Sequence, residues 1–271
     1  MRRALVAHLE ALRSWGISRF QVKVLPEPQV VGEPEPIPVA EAGPPQSAPA
    51  PEPVPVDDGD LFGDSFTAQP SLSREQAGAV LANAAQEVAA CTACRLHSSR
   101  SQTVFGVGDS RARLMFIGEA PGAEEDRQGK PFVGRAGKLL DRIILALGLK
   151  REDVYISNIL KCRPPGNRDP RPDEVASCTP FLLRQIETIQ PQMIVALGRP
   201  AANFLLDTTA PLARLRGRRQ SFRGIPVVVT YHPAYLLRNP SAKKLTWQDL
   251  QGVLEDLELP GPTTSSRTKV T

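Results

Sequence analysis

Among 271 residues the chain has only 3 histidines and 4 cysteines. So few of either leave little room for a disulfide scaffold or a histidine-rich metal site. No stretch reads as a secretory leader, and disulfides are therefore not expected. The one amphipathic segment near the amino end, Leu5, Val6, Leu9, Leu12 and Trp15, is interrupted by His8, Glu10 and Arg13. It is neither a signal peptide nor a membrane span. It reads as a small helix that docks on a domain or a partner. No internal repeat is visible, which sets aside solenoids and arrays.

What is abundant is unevenly placed. Residues 26–72 are crowded with Pro, Ala, Glu and Asp, a composition that cannot bury enough apolar surface to offset chain entropy. We expect an amino-terminal helical segment over 1–25, a disordered linker over 26–72, one folded domain over 73–260 and a frayed tail over 261–271. Charge divides along the same line. Residues 1–70 hold 5 Lys and Arg against 10 Asp and Glu, a net of −5, whereas the remainder holds 28 against 19, a net of +9. A basic folded part points to a polyanionic partner. Arg214, Arg216, Arg218, Arg219 and Arg223, with glycines between them, carry much of that charge.

The folded part opens at Ser73, where Ser-Arg-Glu-Gln has the form of a capping box. The pattern then predicts strands over 113–118, 153–160, 192–197 and 225–230, with helices over 134–148, 172–189, 199–206 and 241–258. Alternating strands and helices imply a three-layer α/β/α domain around a central parallel four-stranded sheet. In such sheets ligands bind beyond the carboxyl ends of the strands. The first of those ends, after Leu114-Met115-Phe116-Ile117, carries the most informative stretch. Gly118 to Gly137 contains Glu119, Glu124, Glu125, Asp126, Pro121, Pro131, Phe132 and repeated glycines. Glycines let a backbone approach a ligand closely, and Phe132 offers a stacking face. A plain surface loop seldom combines so many carboxylates with a phenylalanine.

The cysteines are Cys91, Cys94, Cys162 and Cys178. A lone C-x-x-C suits thioredoxin-like chemistry, but that leaves Cys162 and Cys178 unexplained. Four thiolates suit tetrahedral zinc or a [4Fe–4S] cluster equally well, and the spacing does not choose between them. Either group would pin the basic loop that follows Cys162. A third strand end carries His232 in Thr230-Tyr-His-Pro-Ala-Tyr-Leu-Leu-Arg-Asn-Pro240, an exposed and proline-bounded loop by its composition.

Four segments then occur in a telling order: Gly118-Glu-Ala-Pro-Gly, Lys130-Pro-Phe-Val-Gly, Ser157-Asn-Ile-Leu-Lys-Cys-Arg-Pro-Pro165 and His232-Pro-Ala-Tyr-Leu-Leu-Arg238. Together they resemble the family 4 uracil-DNA glycosylases, bacterial and archaeal enzymes with an iron–sulfur cluster. The resemblance covers residues 73–258.

That resemblance implies a monofunctional repair enzyme that flips uracil out of single- or double-stranded DNA and hydrolyses its N-glycosidic bond. It implies that Phe132 stacks on the base and that Asn158 pairs with it. His232 hydrogen-bonds uracil O2, and Glu119 positions water and faces the sugar cation. Gly118, Ala120 and Gly122 shape the pocket. Ala120 stands where the best-known uracil glycosylases have a catalytic Asp, and Gly122 where they have the tyrosine that blocks the thymine methyl, a role open to Glu125. Leu236 or Leu237 would fill the gap left by the flipped base. Arg238, Arg216 and Arg218 would hold phosphates, and Cys91, Cys94, Cys162 and Cys178 would hold a structural [4Fe–4S] cluster. A cytoplasmic monomer is expected, with no membrane partner.

Two rival readings differ in class or chemistry. A relative traps the sugar covalently with a histidine in its basic insert, but Arg214 to Arg223 contains no histidine. A non-catalytic iron–sulfur DNA-binding module is opposed by the intact Glu119, Phe132, Asn158 and His232. Activity on other deaminated bases stays open. Within the linker, Asp58-Gly-Asp-Leu-Phe62 resembles the short peptides that dock on the bacterial sliding clamp.

Overall fold

The computed structural model describes residues 72–261. The amino-terminal helical segment, nearly all of the linker with its clamp-like peptide at 58–62, and the tail beyond residue 261 lie outside the described residues.

Six strands form one sheet in the order β1-β3-β2-β4-β6-β5. They are β1 (Val107–Gly108), β2 (Leu114–Gly118), β3 (Tyr155–Asn158), β4 (Met193–Leu197), β5 (Gln220–Phe222) and β6 (Ile225–Thr230). The central four, β3-β2-β4-β6, are parallel as expected. The two edge strands run antiparallel to them and were not foreseen. At two and three residues, β1 and β5 are too short to show a period in the sequence.

Eight helices accompany the sheet among the described residues: α1 (Arg74–Ala89), α2 (Ala123–Gln128), α3 (Arg135–Ala146), α4 (Pro172–Ile189), α5 (Arg199–Leu205), α6 (Leu212–Leu215), α7 (Pro233–Arg238) and α8 (Lys243–Asp256). The capping box at Ser73 forms in full. α4 starts with Pro172 and carries Asp173 and Glu174 in its first turn, the residue types that a helix amino end favours.

Residue alternation along β2 divides the core in two. Met115 and Ile117 face a cluster containing Ala84 and Val88 of α1, Leu182 and Ile186 of α4, and Leu205 of α5. Leu114 and Phe116 face the opposite cluster, built from Leu139, Leu140, Ile143 and Ile144 of α3 and Trp247, Leu250 and Val253 of α8. The three-layer α/β/α architecture follows from that division.

Candidate active site

The carboxyl ends of β2, β3 and β6 open onto a cleft of about 410 Å³, bordered by Glu119, Gly122, Glu125, Phe132, Asn158 and His232 among others. Register brings two of these ends together: Gly118, the last residue of β2, is paired with Asn158, the last of β3. A side chain at 118 would collide with both neighbours. A Cβ there would lie 2.4 Å from Asn158 Oδ1 and 2.7 Å from Phe132 Cζ. Gly118 is thus the part of the floor that makes room for the other two.

The loop from Gly118 to Gly137 is held by its own carboxylates. Glu125 Oε1 accepts from the main-chain N–H of Val133 and of Gly134, each at 2.9 Å. Gly134 is the N-cap of α3, and Glu125 satisfies the N–H of that residue, one of the amino-end donors that have no partner within the helix. Phe132, just before this cap, has φ +51, a left-handed conformation unusual for an aromatic residue. Gly137 permits it: a Cβ at 137 would fall 1.8 Å from the Phe132 carbonyl oxygen. The buried Phe132 ring then lies 5.5 Å from the His232 ring, tilted by 33°.

Asn158 is 2 % exposed, and its Oδ1 is buried without a hydrogen-bond partner in the protein. Buried acceptors are nearly always satisfied, so an orphan on a residue that borders the cleft marks a place for a ligand donor. His232 caps α7, its Nδ1 accepting from the N–H of Ala234 at 3.1 Å. Burial, reinforced by Arg238 and opposed by Glu125, pulls its pKa down to about 4. The ring is therefore neutral, with its proton on Nε2. Glu119 is driven the other way. Burial, then the negative charge of Asp169, raises its pKa to about 7, against the pull of Arg199.

Asn167, Arg168 and Asp169 also border the cleft and were not anticipated individually. In the sequence their loop stands out only as a basic segment behind Cys162. It is fixed by Arg168, which forms a two-pronged ion pair with the fully buried Glu174 and donates to the Asp169 carbonyl at 3.0 Å.

All four cysteines border one small cavity, and all four are free thiols. Cys162 and Cys178 are buried, and burial pushes both thiols up, Cys178 to about 11. No group of three or more His, Cys, Asp or Glu among the described residues is arranged to hold a metal ion. The donor set nevertheless fits a sulfur-ligated cluster. All four cysteines line the same cavity, Arg100 Nη1 donates to Cys162 Sγ at 3.3 Å, and the Lys161 main-chain N–H donates to Cys178 Sγ at 3.4 Å.

Lys161 itself was missed. It is fully buried, and burial pulls its pKa down to about 7 while Cys178 opposes the shift. Its flanks Ile159, Leu160 and Cys162, all apolar, were the available sign of burial.

The expected DNA-contacting residues require correction. Residues 233–238 form α7 rather than an exposed loop, and Leu236 is fully buried against the α3 side of the core. It is therefore core and not a wedge. Leu237 is partly buried against the same cluster, whereas Tyr235 and Arg238 are exposed at the cleft. Proline at 233 and the His232 cap start a helix whose i, i+3 spacing turns Leu236 inward. Arg216 is not free for phosphate either. It holds the buried Asp249 through two bonds of 2.8 and 3.0 Å and lies 4.2 Å from the centre of the Tyr231 ring. Arg218 is exposed and borders a separate hollow of about 360 Å³ between the β5–β6 hairpin and α8. No described helix is long and apolar enough to cross a membrane.

This sheet, with its cleft at three strand ends, defines a member of the uracil DNA glycosylase superfamily, whose family model matches residues 105–251. The type-4 uracil-DNA glycosylase of Thermotoga maritima is 48% identical over 176 residues, which are 64% of this chain and 88% of the relative. The type-4 uracil-DNA glycosylase of Saccharolobus solfataricus is 47% identical over 182 residues, 64% of this chain and 84% of the relative. That of Archaeoglobus fulgidus is 43% identical over 178 residues, 63% and 89% respectively. The chain belongs to the type-4 uracil-DNA glycosylases.

Proposed function

We propose that the protein removes uracil from DNA by hydrolysis of the N-glycosidic bond, leaving an abasic site, with the flipped base held between Phe132 and the end of β3. The observation that carries this reading is the unpartnered Oδ1 of the buried Asn158. Uracil presents N3–H to that oxygen and O4 to the neighbouring amide N–H. Cytosine presents the reverse pattern and would leave both sides of the pair unsatisfied, a mismatch that buried hydrogen-bonding sites reject strongly.

Bond breaking places positive charge on the sugar and negative charge on the departing base. His232, neutral with Nε2–H as its free donor, stabilises the charge that develops on uracil O2. Ionised Glu119 orients a water for attack on C1′ and faces the sugar cation. Water adds to C1′ as the bond to N1 breaks, the electron pair leaves with uracil as its anion, and the proton the water sheds passes to the Glu119 carboxylate. The Glu125 carboxylate, tied to Val133 and Gly134, stands beside Gly122 as a wall against a 5-methyl group. Arg238 at the rim of the cleft contacts phosphate, which makes binding salt-dependent.

Cys91, Cys94, Cys162 and Cys178 would hold a [4Fe–4S] cluster, which supplies a structural clamp on the loop carrying Arg168 and Asp169. Four free cysteines suit a reducing cytoplasm, where the enzyme acts as a monomer on this reading.

The test is single-turnover incubation of the iron-loaded protein with U·G, U·A and T·A duplexes. Uracil release from the first two and no thymine release from the third supports the proposal. Retained DNA binding without base release would overturn it and favour a non-catalytic module.

A further inference from the structure

Lys161 is the described residue whose burial the proposed chemistry leaves unused. Its Nζ sits within 2.7 Å of three oxygens: Ser157 Oγ at 2.7, the Asn158 carbonyl at 2.7 and Gln185 Oε1 at 2.6 Å. None of these belongs to a carboxylate, so this is not a buried ion pair. The same residue's main-chain N–H reaches Cys178 Sγ, and the next residue is Cys162. Lys161 is thus fastened to the cysteine cavity through its backbone and to the base-reading strand end through its side chain.

The Asn158 amide needs such an anchor. Its Oδ1 has no partner in the protein, so no bond to that oxygen fixes where the amide points. Its direction is set by the backbone at 158, whose carbonyl takes Lys161 Nζ at 2.7 Å and Ser157 Oγ only at 3.4 Å. Two further layers stiffen this knot. Ser157 Oγ lies 3.1 Å from the Phe105 carbonyl, and Gln185 Nε2 donates to that carbonyl at 2.8 Å and to the Tyr155 hydroxyl at 3.1 Å. Polar networks of this kind, when every member is satisfied, hold one geometry.

We infer that Lys161 is a positioning residue for uracil recognition, holding the Asn158 amide in register with the base from a footing on the cysteine cavity. The inference rests on the proposed role of Asn158. It adds that specificity for uracil depends on a side chain that never touches the base.

The test compares iron-loaded wild type with Lys161→Met, Ser157→Ala and Asn158→Ala. Each is measured for binding to a duplex carrying one uncleavable 2′-fluoro-2′-deoxyuridine, relative to the same duplex carrying thymidine. Visible absorbance of the iron–sulfur chromophore is recorded alongside. Lys161→Met should keep the chromophore and the affinity for the thymidine duplex, while its preference for the uracil duplex falls about tenfold, the loss of one good hydrogen bond's worth of discrimination. Its KM for the uracil duplex should rise with that loss, while its affinity for thymidine DNA holds. Ser157→Ala, which removes one of three oxygens, should show the same pattern to a smaller degree. It decides the matter should the methionine variant not fold. Wild-type preference in the folded Lys161 or Ser157 variant, together with lost preference in Asn158→Ala, overturns the role of Lys161 and leaves that of Asn158 intact. Retained preference in Asn158→Ala overturns both, at the earlier step.

Discussion

The main-chain N–H of Ala234 donates to Nδ1 of His232 at 3.1 Å, so the neutral imidazole has Nε2–H as its only free donor. Burial holds the ring pKa near 4, and no protonation change of this histidine falls in the physiological range. His232→Leu should lower the single-turnover rate by about 10²–10³, the usual effect of deleting one donor to a developing anion. The pH profile of the variant should keep its wild-type shape. A limb that disappears with His232 would contradict a neutral donor.

Glu119 should set the acid limb instead. Its pKa of about 7 lies above the ordinary carboxylate value of 4.5, so activity that needs the carboxylate rises with pH through about 7. Glu119→Gln should give a low, flat profile. Stability should move in the opposite sense. Between 4.5 and about 7 the folded state retains a proton that the unfolded chain has released, so stability falls with rising pH across that window. The glutamine variant should therefore melt higher than wild type at about pH 8 and show no such gain at about pH 4. Differential scanning calorimetry at both values checks the sign.

Leu236 belongs to the core, and Leu236→Ala should cost about 2–4 kcal/mol in denaturant unfolding. Tyr235→Ala, which removes an exposed ring stacked on Tyr231 at 4.9 Å, should leave stability nearly unchanged. Equal losses from the two would place α7 differently from the arrangement described.

Two arginines should separate cleanly. Arg216→Ala strands the Asp249 carboxylate, 4 % exposed, with only the Thr230 hydroxyl as a bonded partner, and should destabilise by about 3 kcal/mol. Arg238→Ala should leave unfolding unchanged and reduce the slope of log binding constant against log salt by about one. A salt slope altered by Arg216 alone would reverse these assignments.

The two innermost strands were legible because each holds an unbroken apolar run buried on both faces, Leu114–Ile117 and Met193–Leu197. The helices on the sheet declared themselves through periodic leucines and isoleucines, α3 most clearly. The cleft residues were legible because strand ends carry them and because Gly118, Phe132, Asn158 and His232 stand in recognisable company. What escaped depends on distances that spacing does not contain. Arg216 looked like any member of a basic run until Asp249, 33 residues later, proved to be its partner. Leu236 looked exposed because its flanks are polar and proline-rich, and one short helical turn reversed its direction.

Glu125 combines two duties, since one carboxylate accepts the N–H groups of Val133 and Gly134 at the entry to α3 and forms part of the cleft wall. On the proposed role of that wall, the route from this scaffold to larger pyrimidines is narrow. Trimming that wall to admit a methyl group also removes both of these bonds, directly after Phe132 with its unusual backbone conformation. A lineage changing its base preference would first have to acquire another acceptor for the N–H groups of residues 133 and 134. Selectivity here is inherited together with fold stability, and the two are not free to drift apart.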